Sequence, residues 1–164
     1  MTKIMMVILI LAIPAKSHSY CFESASKRYG INPTLLWAIV KVESNFHPYA
    51  IAYREGGKNK SIYPGSIELA KKWIDWLWEK GLDFDLGLGQ INRRNISAYR
   101  INPYSLLDPC YNLTWSAYIL RTMIDRYGYT WEGISRYNGG GMSYALKVWK
   151  AMEGIRLKGK EVKR

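Results

Sequence analysis

Histidine is nearly missing from this 164-residue chain, which has only His18 and His47. A transition-metal centre draws on several His, Cys or carboxylate ligands, and a serine or cysteine nucleophile needs an imidazole base in reach. Metal centres and nucleophile triads therefore have almost no ligands or bases to use, and no metal or cofactor is expected. Cysteine is equally scarce, with Cys21 and Cys110 alone. Acidic residues number 13 against 24 Lys and Arg, for a formal net charge of +11. Repeats and low-complexity stretches are absent, as is any second long apolar run.

The one apolar run, Ile4 to Ile13, follows Lys3 and precedes Pro14, Ser17 and Ser19. It is too short to span a bilayer as a helix and has the layout of a secretory signal. Residues 1–19 are read as that signal, cut near Ser19, with 20–153 as one domain and 154–164 as a basic tail expected to be disordered. Export would place both cysteines where a disulfide persists, and they are expected to pair. The alternative, a lipidated Cys21, is disfavoured because His18, Ser19 and Tyr20 are not the small residues of lipoprotein processing. No stable membrane anchor is expected, and the product is expected to be a periplasmic monomer. The basic balance calls for an anionic partner. Export makes nucleic acid an improbable one, and an anionic cell-wall polymer fits the compartment better.

Punctuation along the chain predicts mostly helices. Ser24 to Tyr29 is a short helix stopped by Gly30, and Asn32 with Pro33 caps and starts the next. Ala50 to Arg54 and Lys60 to Tyr63 read as a hairpin around Gly56 and Gly57. Ser66 caps a helix to Lys80, and Gly87 to Asn92 is a bent extended segment. Asp108 and Pro109 start a helix that ends at Gly128, Thr130 caps a short one, and Ser143 to Met152 is the last. The fold class is α+β, mostly α, with one small hairpin.

With nucleophile triads and metals set aside, proton transfer falls to carboxylates. Leu35, Leu36, Ile39, Val40 and Glu43 recur at three- and four-residue spacing, so Glu43 sits on the apolar side of a helix and in its last turn. Desolvation and the negative end of the helix dipole would both keep it protonated, as an acid catalyst requires. From spacing alone, a solvated Glu at a frayed helix end is the commoner outcome.

Four segments change that balance. Glu43-Ser44-Asn45-Phe46-His47-Pro48-Tyr49-Ala50, Gly87-Leu88-Gly89-Gln90-Ile91-Asn92, Asp108-Pro109-Cys110-Tyr111-Asn112-Leu113 and Tyr137-Asn138-Gly139 occur in this order. Together they resemble the motifs of the lysozyme-like lytic transglycosylases of the SLT type. In size and cysteine pair the chain is most similar to small periplasmic members that serve type III secretion, type IV pili and conjugation systems.

The resemblance implies a goose-type lysozyme-like domain that cuts the MurNAc–GlcNAc bond of peptidoglycan and leaves a 1,6-anhydro end. It implies Glu43 as acid and then base, Ser44 as a residue that orients it or touches sugar, Gln90 and Asn92 lining the cleft, and Tyr137 and Asn138 bonding Glu43 or a substrate acetamido group. Gly89 departs from the family's usual Met and is expected to widen the cleft floor. Tyr53, Tyr63, Tyr99 and Tyr137 are candidates for aromatic walls that exclude water. Two rivals remain. One is a water-using lysozyme with a second carboxylate among Glu55, Asp83 and Asp85, and the other is an inactive glycan-binding scaffold.

Overall fold

The computed structural model describes the backbone of residues 16–161 and the side chains of 21–155. The apolar run at 4–13 lies outside the described residues. The first helix, α1 (Lys16–Tyr29), is longer than expected and crosses the proposed cleavage point after Ser19. Gly30, at φ 61°, turns the chain out of it.

Capping chemistry then starts several of the helices that follow. Asn32 accepts from the Thr34 amide at 2.8 Å ahead of α2 (Pro33–Ser44). Ser66 does the same for α3 (Ile67–Glu79), and Asp108 for α5 (Pro109–Tyr127). Thr130 caps the short α6 (Trp131–Ser135). These side-chain acceptors satisfy amides that the first helical turn leaves free.

The last helix, α7 (Gly141–Glu161), runs past Met152 and through most of the stretch expected to be a disordered tail. Residues 162–164 lie outside the described residues.

The hairpin is present, with β1 (Ile51–Glu55) antiparallel to β2 (Lys58–Ile62). Its turn is tighter than expected. Gly56 and Gly57 both adopt positive φ, at 57° and 77°, as a two-residue turn matching the twist of its strands requires. Two further strands enlarge the sheet. β3 (Phe84–Leu86) pairs with the free edge of β1, and β4 (Ile91–Asn92) pairs with β3, giving the order β2-β1-β3-β4. The segment Gly87 to Asn92 is thus a turn that ends in a strand. Asn92 also caps α4 (Arg93–Ala98), a helix the sequence reading omitted.

Apolar side chains collect in two clusters. One joins α1, α2, α5 and α7 through Leu36, Val40, Leu113, Leu120 and Val148. The other lies between the sheet and α3, around Ile51, Leu77, Phe84, Leu86 and Leu107. Helix α5 serves both, and Tyr137 packs against both. The expected disulfide is present, joining Cys21 of α1 to Cys110 in the first turn of α5 across 89 residues of sequence. Closing a loop of that size removes about 4–5 kcal/mol of unfolded-state entropy.

Asn112, fully buried on α5, ties the two halves together. Its amide nitrogen donates to Leu86 O at 3.1 Å and Leu106 O at 3.0 Å, and its oxygen accepts from the Gly89 amide at 2.8 Å. The partners lie at the end of β3, in the 3-10 turn Pro103–Leu107 and in the loop that carries Gly89. Replacement Asn112→Ala is expected to cost about 3 kcal/mol because it leaves buried groups unpaired. Urea unfolding monitored by circular dichroism measures it, and a loss within error of zero would show the clamp to be dispensable.

Candidate active site

Between the two clusters lies a cleft of about 290 Å³ lined by Glu43, Asp83, Asp85, Gln90, Asn92, Arg94, Asn95, Ile119, Tyr137 and Asn138. Glu43 reaches it from the last turn of α2, which ends when Asn45 adopts a left-handed φ of 51°. Phe46 follows at φ 67°. Two successive non-glycine residues in this region carry strain of the kind that accumulates at functional sites.

The Glu43 carboxylate is half-buried and held from two sides. Tyr144 Oη donates to Oε1 at 2.6 Å, and Asn138 Nδ2 donates to Oε1 and Oε2 at 3.1 and 3.2 Å. Burial pushes its pKa from 4.5 up to about 7, and the charge of Asp85 adds to that; the Tyr144 and Asn138 hydrogen bonds and Lys147 pull the other way. Both hydroxyls around it, Tyr144 and Tyr137, are driven well above the ordinary phenol value by burial and by the Glu43 charge, so both stay protonated.

Asp85 is the second carboxylate facing this space. Burial raises its pKa from 3.8 to about 6, Asn92 opposes the shift, and Asp83 reinforces it. Asn92 fixes it structurally, donating to Asp85 at 2.9 Å and Asp83 at 3.2 Å while its oxygen caps α4. Of the three candidate second carboxylates, Asp83 and Asp85 therefore reach the cleft. Glu55 does not; it pairs with Lys60 at 2.5 Å across the exposed hairpin.

The other expected residues divide. Gln90 lines the cleft at a left-handed φ of 49°, its side chain donating to Ala50 O at 3.0 Å and Gly87 O at 2.8 Å. Asn138 lies against Glu43. The Tyr137 hydroxyl donates instead to Gly89 O at 2.6 Å. Ser44 is buried, its hydroxyl donating to Val40 O at 3.3 Å in its own helix. Three of the four proposed wall aromatics lie elsewhere. Tyr53 packs in the core with Trp73 and Trp76, Tyr63 stands against His47, and Tyr99 joins Trp115 and Tyr118.

Tyr144 was missed by the sequence reading. Its signal was a phenol on the buried face of α7, one turn before Val148, where a hydroxyl must find a partner. Ser116 was missed too, and it overturns the expectation for Gly89. A Cβ added to Gly89 would stand 1.9 Å from Ser116 Oγ and 2.8 Å from Tyr137 Oη. The space beside Gly89 is filled by Ser116 of α5 and by Tyr137.

These features define a lysozyme-like α+β domain whose cleft carries one protonatable, donor-held glutamate between a helical and a sheet half. The chain belongs to the Transglycosylase SLT domain family, which it matches over residues 20–157. It is 30% identical to invasion protein IagB of Salmonella typhimurium strain SL1344 over 142 residues, covering 79% of this chain and 73% of that protein. It is 38% identical over 90 residues to the type IV secretion system protein virB1 of Brucella abortus biovar 1 strain 9-941, covering 55% of this chain and 37% of the relative. Protein IpgF of Shigella sonnei is 27% identical over 137 residues, 81% of this chain and 74% of its own.

The close approach at Gly89 is testable by size exchange. Gly89→Ala is expected to destabilise the domain by about 2 kcal/mol through overpacking, and adding Ser116→Gly is expected to recover more than half of that. A double-mutant cycle of thermal melts measures the coupling, and strict additivity would show that the two residues do not compete for space.

Proposed function

We propose that this protein is an exported peptidoglycan lytic transglycosylase that cleaves the MurNAc–GlcNAc β-1,4 bond and forms a 1,6-anhydro-MurNAc end. The observation that carries the reading is Glu43, half-buried at the cleft with a pKa near 7 and gripped by Tyr144 and Asn138. Membership of the family supports it.

In this reading Glu43 works twice. Burial keeps its carboxyl protonated near neutrality, so it can donate to the glycosidic oxygen as the bond breaks. Tyr144 occupies Oε1, which leaves Oε2, with only the longer Asn138 contact, as the oxygen aimed at substrate. Once ionised, the carboxylate is stabilised by the same two donors. It then accepts the proton of the muramyl C6 hydroxyl as that oxygen attacks C1, and no water enters the product. Asn138 and the cleft-lining amides of Gln90 and Asn92 supply polar groups for the substrate, with Tyr137 bracing the loop that carries Gln90 through Gly89. An export signal over residues 1–19, cut near Ser19, delivers the domain to the periplasm. One relative is by name a type IV secretion system protein and another an invasion protein, which supports a role in opening the wall locally for a secretion apparatus.

A second reading is favoured by Asp85, which lines the same cleft and acts electrostatically on Glu43. If Asp85 positions a water, the enzyme hydrolyses the bond instead. Mass analysis of digested sacculi separates the two, since an anhydro end is lighter by one water. Anhydro ends are expected; reducing ends alone, lost in Asp85→Asn, would establish the hydrolase. Glu43→Gln is expected to lower turnover by about two to four orders of magnitude while preserving fold. Wild-type-like activity in that variant would remove Glu43 from the mechanism.

The raised pKa also fixes the sign of two pH effects. Activity should fall as pH rises through about 7, because the acid form is lost. The folded value lies above the ordinary 4.5, so the stabilisation is complete below 4.5 and gone above about 7. Glu43→Gln should therefore match the parent in acid and exceed its stability in alkali by about 1–2 kcal/mol, a figure reduced for partial exposure. Thermal melts at both extremes check it, and an equal offset at both would contradict the assigned shift.

A further inference from the structure

Away from the cleft, helix α7 carries a second functional surface. Its buried face presents Tyr144 and Val148 to the core, while its outer face bears Met142, Leu146 and Trp149 at four- and three-residue spacing. These are 62%, 50% and 45% exposed, and Trp131 of α6 joins them at 36%. Together they line one shallow depression over Ala145. Tyr129, also exposed, lies just before Trp131. Contiguous large apolar side chains of this kind mark an interaction surface rather than ordinary solvent-facing surface.

Charge identifies what covers it. Lys147 and Lys150 are exposed on the same helix. The chain that continues α7 supplies Arg156, Lys158, Lys160, Lys163 and Arg164 against Glu161. Protein interfaces are depleted of lysine at their apolar centres. Tryptophan and tyrosine beside Leu and Met, bordered by lysine, is instead the composition that settles at the headgroup boundary of a bilayer. A glycan strand offers no acyl surface to cover Met142 and Leu146.

We infer that the outer face of α7, with Trp131 and the basic chain end, docks on an anionic phospholipid surface. The apolar stripe enters the headgroup boundary, and the basic residues meet lipid phosphates. Tyr144, on the opposite face of the same helix, holds Glu43, so docking sets the orientation of the cleft relative to the membrane. The inference is tested apart from the assigned chemistry, because Leu146 and Trp149 line this depression and not the cleft.

Co-sedimentation with vesicles tests it. The exported chain is expected to bind phosphatidylcholine vesicles containing phosphatidylglycerol, to ignore phosphatidylcholine alone, and to release as salt is raised. The variant Leu146→Ser/Trp149→Ser should lose about tenfold in vesicle affinity while cutting soluble glycan fragments as the parent does, which shows that it folds. Removing residues 156–164 should weaken binding as well. Absence of binding to the anionic vesicles overturns the proposal, as does binding unchanged by Leu146→Ser/Trp149→Ser. Self-association abolished by that variant would overturn it too, by assigning the face to a second copy of the chain.

Discussion

The cleft exists because one buried amide, that of Asn112, holds a sheet and a helical bundle at a fixed separation. Each half has its own apolar cluster, and α5 contributes to both. Three hydrogen bonds from a single side chain on α5 reach the end of β3, the loop after α4 and the Gly89 amide. Hydrogen bonding in a dry site is directional and costly to break, so it fixes a loop in a way that apolar contact does not. Gly87 makes the approach possible: a Cβ there would stand 2.2 Å from the Asn112 amide nitrogen. Gln90, whose backbone is left-handed, and Tyr137, which bonds the Gly89 carbonyl, both depend on that loop.

Glu43 is then placed in a balance of opposed forces. Burial between α2 and α7 and the nearness of Asp85 favour the proton, while Tyr144, Asn138 and Lys147 favour its loss. Burial wins, lifting the value from 4.5 to about 7, and the opposing donors hold it from rising further. In the proposed acid-then-base role that balance is useful, since donors that held the anion too well would spoil the acid. The grip comes from residues about a hundred positions away in sequence, brought in because α7 packs along α2.

Caps and prolines made the helices legible: Asn32, Ser66, Asp108 and Thr130 each accept the amide their positions suggest. The rest was hidden for physical reasons. Strands of three and two residues, as β3 and β4 are, show no periodicity, and the glycines between them look like loop. Glu43 and Asn138 were legible through their motifs, whereas Tyr144 carried only the weak signal of a phenol on a buried helix face. The burial of Ser44 was not legible because adjacency to Glu43 in sequence says nothing of direction: on a helix the next side chain points about 100° away, here into the core. The tyrosines chosen as walls were misplaced because an aromatic ring serves a core as readily as a cleft.

Asp85 shows how little separates two chemistries on one scaffold. Two carboxyl groups in one cleft cannot both ionise cheaply, and the Asp85 charge adds to the rise at Glu43. With Asp85 pushed up to about 6 and Glu43 to about 7, Asp85 ionises first as pH rises. A carboxylate at Asp85 beside a protonated Glu43 is the charge arrangement that would stabilise an oxocarbenium-like transition state, whichever oxygen finally attacks. The identity of the attacking oxygen therefore depends less on Asp85's charge than on what fills the space around it. Asn92 already engages one Asp85 oxygen and both strands hem it in. An ion so tethered is better suited to steadying positive charge on the sugar than to carrying a proton away from water.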